Sequence, residues 1–234
     1  ADYSVKVLSH EELLAGEENQ TQKILFVRTQ GWDGSVYLDQ EVYSINPDGS
    51  GEKNITNAPT VYEVDPAWSP DKTRVAFSKN IGSGNYEIYV KDLITGTLTR
   101  LTNHSARDRH PTWSPDGTRI AFHSNRTGNY EIFVTNSDGS TINSPTNISN
   151  RSTYHDIKPH WSPNGLYVIF SSYLTSETSF KTNLFRINST GGSLVQLTTD
   201  SLNNDNSKYS PDGTRIVFAK NNGGDISVMN ANGS

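Results

Sequence analysis

One twelve-residue string is written four times along this chain, and that repetition constrains the fold more than any other feature. It reads PAWSPDKTRVAF at 66–77, PTWSPDGTRIAF at 111–122, PHWSPNGLYVIF at 159–170 and SKYSPDGTRIVF at 207–218, with a truncated copy, KILF, at 23–26. A second alternating segment follows each copy: NYEIYV at 85–90, NYEIFV at 129–134, NLFR at 183–186, DISV at 225–228 and EVYS at 41–44. Apolar and polar residues alternate with period two in both segments, which is the pattern of half-buried strands. Ser-Pro-Asp-Gly between them supplies a tight turn, because proline presets φ and glycine accepts positive φ. Each unit is therefore predicted to hold four short strands, A to D, closed by Leu-Thr segments such as Leu101-Thr102 and Leu197-Thr198.

The pattern D-x-x-P-x-W-S-P-D-G-x-x-I-A-F followed by E-I-Y-V resembles the TolB-type, or PD40, propeller repeat, and the resemblance covers essentially the whole chain. It implies an all-β fold, a β-propeller of four-stranded antiparallel blades. Phe26, Phe77, Phe122, Phe170 and Phe218 mark five strand-B positions, so five blades are expected in a single domain over 1–234. Their approximate spans are 17–56, 63–102, 108–149, 156–198 and 204–234, the last completed by 1–10. The last copy stops after strand C. Tyr3 to Ser9 resembles Thr97 to Thr102, so the N-terminal strand is expected to complete the last blade and remove two open sheet edges.

Charge and composition narrow the function classes. Twenty Lys and Arg stand against 25 Asp and Glu, whereas a nucleic-acid binder needs a concentrated basic surface to neutralise phosphates. No apolar run is long enough to span a bilayer. Cysteine is absent, which excludes disulfides and thiolate metal sites. Eight Asn-x-Ser/Thr sequons, at Asn19, Asn54, Asn103, Asn125, Asn147, Asn150, Asn188 and Asn232, lie in a chain rich in these residue types. With the resemblance, this leads to the expectation of a periplasmic, cell-surface or secreted protein that works as a monomer.

Residues present in every repeat are explained by the repeat, whereas those present once need another reason. Glu63, Asp108, Asp156 and Asn204 recur five positions before the Trp or Tyr of strand A, with Glu12 at the matching place in the first unit. Such a ring of acids at a channel mouth could hold a Ca²⁺ ion, but local loop capping explains it better, and no cofactor is assigned. Trp68, Trp113 and Trp161 are expected in the core. The non-repeating residues Arg107, Arg109, His110, His155 and Lys158 gather in the D–A loops entering the third and fourth units. With Trp32, Tyr37, Tyr62, Tyr154 and Tyr173 they are expected to form an aromatic and cationic rim that binds a protein segment or a glycan. The B–C loops 30–40 and 173–182 are expected to be long. A metal site from His110, His155 and His160 is a lesser alternative. No G-x-S-x-G elbow, H-E-x-x-H or P-loop motif occurs, so no catalytic residue is assigned. The competing reading is a glycosidase using Glu63, Asp108 and Asp156 as acid and base, or a purely structural domain of a larger surface protein.

Overall fold

The structure is a computed structural model that describes residues 23–32, 37–59, 61–176, 181–221 and 224–234. The expected N-terminal clasp, 1–10, and Glu12 lie outside the described residues. What is described is all-β, a five-bladed β-propeller of antiparallel sheets. The first blade holds β1 (Ile24–Trp32), β2 (Tyr37–Ile45) and β3 (Lys53–Asn54). The second holds β4 (Glu63–Trp68), β5 (Arg74–Asn80), β6 (Tyr86–Asp92) and β7 (Leu98–Arg100). The third runs β8 (Asp108–Trp113), β9 (Arg119–Ser124), β10 (Glu131–Asn136) and β11 (Thr146–Asn147). The fourth runs β12 (Tyr154–Trp161), β13 (Tyr167–Leu174), β14 (Asn183–Asn188) and β15 (Val195–Gln196), and the fifth β16 (Asn204–Tyr209), β17 (Arg215–Lys220) and β18 (Asp225–Asn230). Sequential strands are neighbours in every sheet.

The turn between strands A and B is built as its residues dictate. Ser114 Oγ donates to Asp116 Oδ1 at 2.5 Å, and that oxygen accepts the Thr118 amide at 3.0 Å and hydroxyl at 2.9 Å. Ser69-Asp71-Thr73 and Ser210-Asp212-Thr214 repeat the arrangement. Those bonds hold the Asp116 and Asp212 carboxyls below the usual carboxylate range, Asp212 at about 2. Each turn is thus closed by its own side chains before any blade packs on another.

Blade packs on blade through one repeated interface. The face of the second blade carrying Ala76, Ile88, Val90 and Leu101 meets Trp113, Ile120, Phe122 and Phe133 of the third. The third meets the fourth through Ala121, Ile132 and Val134 against Trp161, Phe170 and Phe185. Phe77, Phe122 and Phe170 are at most 1% exposed, and burying each such ring stabilises the fold by roughly 1.5–3 kcal/mol. The indoles also set the height of one blade against the next. Trp68, Trp113 and Trp161 each donate Nε1–H to a carbonyl of the preceding blade, Lys23 at 3.0 Å, Ala67 at 3.1 Å and Thr112 at 3.1 Å. Arg74 and Arg119 cover the outer indole faces of Trp113 and Trp161 at 4.6 and 4.7 Å.

The series of interfaces stops at the fifth blade. Ile226 occupies the place of Ile88, Ile132 and Leu184, which are fully buried, yet it is 82% exposed, and Val228 beside it is 58% exposed. On the first blade Ile24, the counterpart of buried Val75 and Ile120, is likewise half exposed. Among the described residues, the first blade packs on the second and the fifth on the fourth, without extensive contact between first and fifth.

Candidate functional site

Strand A of the second to fifth blades carries a bulge that aims one side chain per blade at the central channel. The ladder slips between Val64 and Ala67, Arg109 and Thr112, Ile157 and His160, and Asp205 and Lys208. The residue at each slip, Asp65, His110, Lys158 or Asn206, is left-handed, with φ of 56, 54, 54 and 53°. A left-handed backbone is uncommon outside glycine and is strained before a proline, which follows in three of the four blades. Strain of about 1–3 kcal/mol at each such residue persists because the flanking strands and blade contacts fix it. These four side chains line a cavity of about 550 Å³ with Leu25 and the strand-A residues beyond them.

Neighbouring bulges are tied together. Asp65 accepts from Arg109 Nε at 2.9 Å and Nη2 at 3.2 Å, and from the backbone amide of His110 at 3.3 Å. Lys158 pairs with Asp205 of the next blade, whose other oxygen accepts from Ser171 at 2.8 Å. The two ion pairs join the same positions in successive blades with their charges reversed. Between the third and fourth blades an imidazole does this work: the Lys158 amide donates to His123 Nδ1 at 3.2 Å. That bond requires Nδ1 unprotonated, so the proton of neutral His123 sits on Nε2. Burial, then the nearby His110, Arg109 and Lys158, holds the His123 pKa well below the usual value.

From His110 a stack of rings leads outward across the third and fourth blades. His110 meets His123 at 5.0 Å, His123 meets Tyr130 edge-on at 5.0 Å, Tyr130 meets His155 at 5.7 Å, and His155 meets Tyr173 at 4.9 Å. The Tyr130 amide donates to His155 Nδ1 at 3.0 Å, which fixes that tautomer as well. Burial lowers the pKa of His110 and His155 and raises that of Tyr173. The ladder is accordingly neutral near pH 7, a row of rings with polar edges bounded by two ion pairs.

The structure brings Arg109, His110, Lys158, His155 and Tyr173 into this one surface. It places the other rim residues elsewhere. Arg107 is exposed and reaches Gly84 O at 3.1 Å between the second and third blades. Tyr154 lies under the Arg151 guanidinium, 3.8 Å from its ring centre, and Arg151 pairs with Asp156 at 3.2 Å. Tyr62 is half-buried where the first two blades meet, bridged through its backbone to Gln40. Trp32 and Tyr37 are backbone partners across β1 and β2, so most of the segment expected to be a long loop is a continued hairpin. Among the described residues the recurring acids Glu63, Asp108 and Asp156 are buried and each pairs with a base. Glu63 pairs with Lys79 at 2.8 Å, Asp108 with Arg126 at 2.8 Å, and Asp156 with Arg151. Among the described residues no group of three or more His, Asp or Glu is placed to hold a metal ion. Reading the sequence missed Asp65, His123, Tyr130 and Asp205. Asp65, His123 and Asp205 are non-repeating at their repeat position, and the same rule that selected His110 would have found them, whereas Tyr130 repeats Tyr86 and the rule passes over it.

A five-bladed sheet ring with variable side chains on an invariant strand-A bulge defines a scaffold that presents a site at its axis. The chain belongs to the TolB β-propeller domain (PD40) family, whose model matches residues 18–172. It is 30% identical over 150 residues to an uncharacterized protein of Agrobacterium fabrum, covering 60% of this chain and 48% of that one. The chain thus spans about half the length of that curated relative. A structure from Agrobacterium tumefaciens provisionally called TolB superposes with a TM-score of 0.66 at 27% identity, over 88% of this chain and 70% of that one. TolB from Acinetobacter baumannii superposes at 0.68 with 21% identity, over 97% and 60%, a likeness of fold alone.

Proposed function

We propose that this propeller is a non-catalytic binding module that recognises a protein segment on the face bearing the D–A loops, over the surface that runs from the Asp65–Arg109 pair to Tyr173. The observation that carries this reading is the ring stack from His110 to Tyr173 beside an open cavity, bounded by two ion pairs. A peptide supplies both amide donors and carbonyl acceptors to such polar ring edges. Stacked rings on a rigid sheet also lose little side-chain entropy on binding.

A glycan is the second ligand class for this surface, but sugars stack on free aromatic faces. Here the faces of Tyr154 and Tyr173 are already taken by Arg151 and His155, which favours the protein segment. The glycosidase reading loses support because Glu63, Asp108 and Asp156 each pair with an internal base and none of them lines the channel cavity. Residence in the periplasm or at the cell surface, as a monomer, accompanies the reading, and among the described residues no helix is long and apolar enough to cross a membrane.

Selection from a displayed peptide library, run beside a glycan array, tests the proposal. Peptides should be enriched, and Arg109→Ala with Tyr173→Ala should weaken the selected peptide by at least tenfold. Unchanged affinity in that double variant would place the binding surface elsewhere, and enrichment on the array alone would transfer the ligand class to glycans.

A further inference from the structure

The far end of the same channel, at the A–B turns, carries positive charge that the fold does not require. The turn Ser-Pro-Asp, or Ser-Pro-Asn in the fourth blade, is followed by Gly117, Gly165 and Gly213 in three blades, at φ of 68, 70 and 71°, but by Lys72 in the second, at φ 60°. A glycine adopts that conformation freely and a lysine does so under strain. Lys72 therefore holds a turn position at which every other described copy has the easier residue, and its side chain lines the cavity. Lys208 lines it from β16, where the other blades carry Ala67, Thr112 and His160.

These two ammonium groups have no hydrogen-bond or ion-pair partner among the described residues. The other charges on the wall are compensated, Asp65 by Arg109 and Lys158 by Asp205. His160, at the strand-A position of Lys208 one blade earlier, also lines the cavity, and its Nδ1 is buried without a partner among the described residues. The rest of the wall mixes apolar residues such as Pro66, Ala67 and Pro111 with the polar Ser69, Thr112 and Ser207. Two cations unpaired among the described residues, one orphan polar atom and a wall of mixed polarity together describe a ligand with carboxylates, a hydrogen-bonding backbone and some apolar neighbours.

We propose that the A–B turn end of the channel is a second binding site, which takes an acidic peptide segment by placing its carboxylates against Lys72 and Lys208 and a peptide group against His160. A hydroxyl-covered sugar acid matches the cations but not the proline and alanine wall. This site uses other residues at the opposite end from the ring stack, so it stands or falls independently of the rim.

The test uses a fluorescently labelled peptide of alternating Asp and Leu, the same peptide with Asn for Asp, and an oligogalacturonate. The Asp peptide should bind with an affinity that falls as salt rises, and the Asn peptide should bind at least tenfold more weakly. Lys72→Gly and Lys208→Gln should each weaken the Asp peptide about tenfold, as expected for loss of a charged hydrogen bond. Lys72→Gly restores the residue of the other turns, so its thermal midpoint should equal or exceed the parent's, which separates lost binding from lost folding. Equal binding of the Asp and Asn peptides, parental affinity in the Lys72→Gly/Lys208→Gln variant, or binding of the oligogalacturonate alone would overturn the proposal.

Discussion

His160 shows how the channel wall governs a single side chain. Burial, reinforced by the neighbouring Lys208, pushes its pKa down to about 4. An unfolded histidine titrates near 6.5, so between pH 6.5 and 4 the unfolded chain binds a proton that the native His160 refuses. Stability contributed by the neutral ring is therefore fully present above about pH 6.5 and is lost as pH falls toward 4, by about 2–3 kcal/mol. Denaturant titrations at pH 7 and pH 4.5 should show a shallower decline for His160→Gln than for the parent. An identical decline would mean that this imidazole does not resist protonation. Asp108 and Asp156 work in the opposite sense, since burial raises their pKa and acid relieves rather than adds to their cost. The difference between parent and variant is consequently the informative quantity. At this scale the sequence was only half legible. His110 and Lys158 stand out because they do not repeat, but the buried state of His160 depends on which bulge slips, and no residue type announces that.

Among the elements, strand A carries both fold and site, and it separates them by side-chain direction. Its tryptophan enters the blade interface while its bulged residue turns to the axis, a direction that a regular strand, whose side chains alternate between the two faces of the sheet, does not offer. Trp113→Phe keeps an aromatic ring at the interface, though a smaller one, and removes the Nε1–H bond to Ala67, leaving that carbonyl unpaired in a half-buried place. The expected loss is about 1–2 kcal/mol in chemical denaturation, and a change under 0.3 kcal/mol would show that the indole bond does not hold the blades in register. The strands themselves were readable because period-two alternation and Ser-Pro-Asp-Gly turns act within a few residues. The first hairpin was not, since the pairing that extends β1 to Trp32 is decided by its partner strand and Gly31 looks like a breaker. Tyr154 was misjudged for a related reason: an aromatic in a loop next to a basic residue looks exposed until Arg151 is seen to lie across it.

For the whole molecule, repetition makes the energetics of equivalent positions comparable. Ile132 and Ile226 have the same place in their blades, one fully buried and the other 82% exposed. Ile226→Lys should therefore change stability by less than about 0.5 kcal/mol. Ile132→Lys should prevent folding, because it buries an unpaired ammonium between sheets. Circular dichroism with thermal melts distinguishes the two, and unfolding of Ile226→Lys would reveal that its face is covered in solution. The number of blades was legible from five phenylalanines, while the exposure of Ile24, Ile226 and Val228 among the described residues was not, because the repeat writes the same apolar residues into covered and exposed faces alike. The bulge has a consequence at this scale too. Acid, imidazole, amine and amide all stand at the same left-handed torsion within 3° of one another, so the main chain is indifferent to what it carries there. The lining of the axis can be rewritten one position at a time, like a combination lock whose wheels turn without disturbing the case.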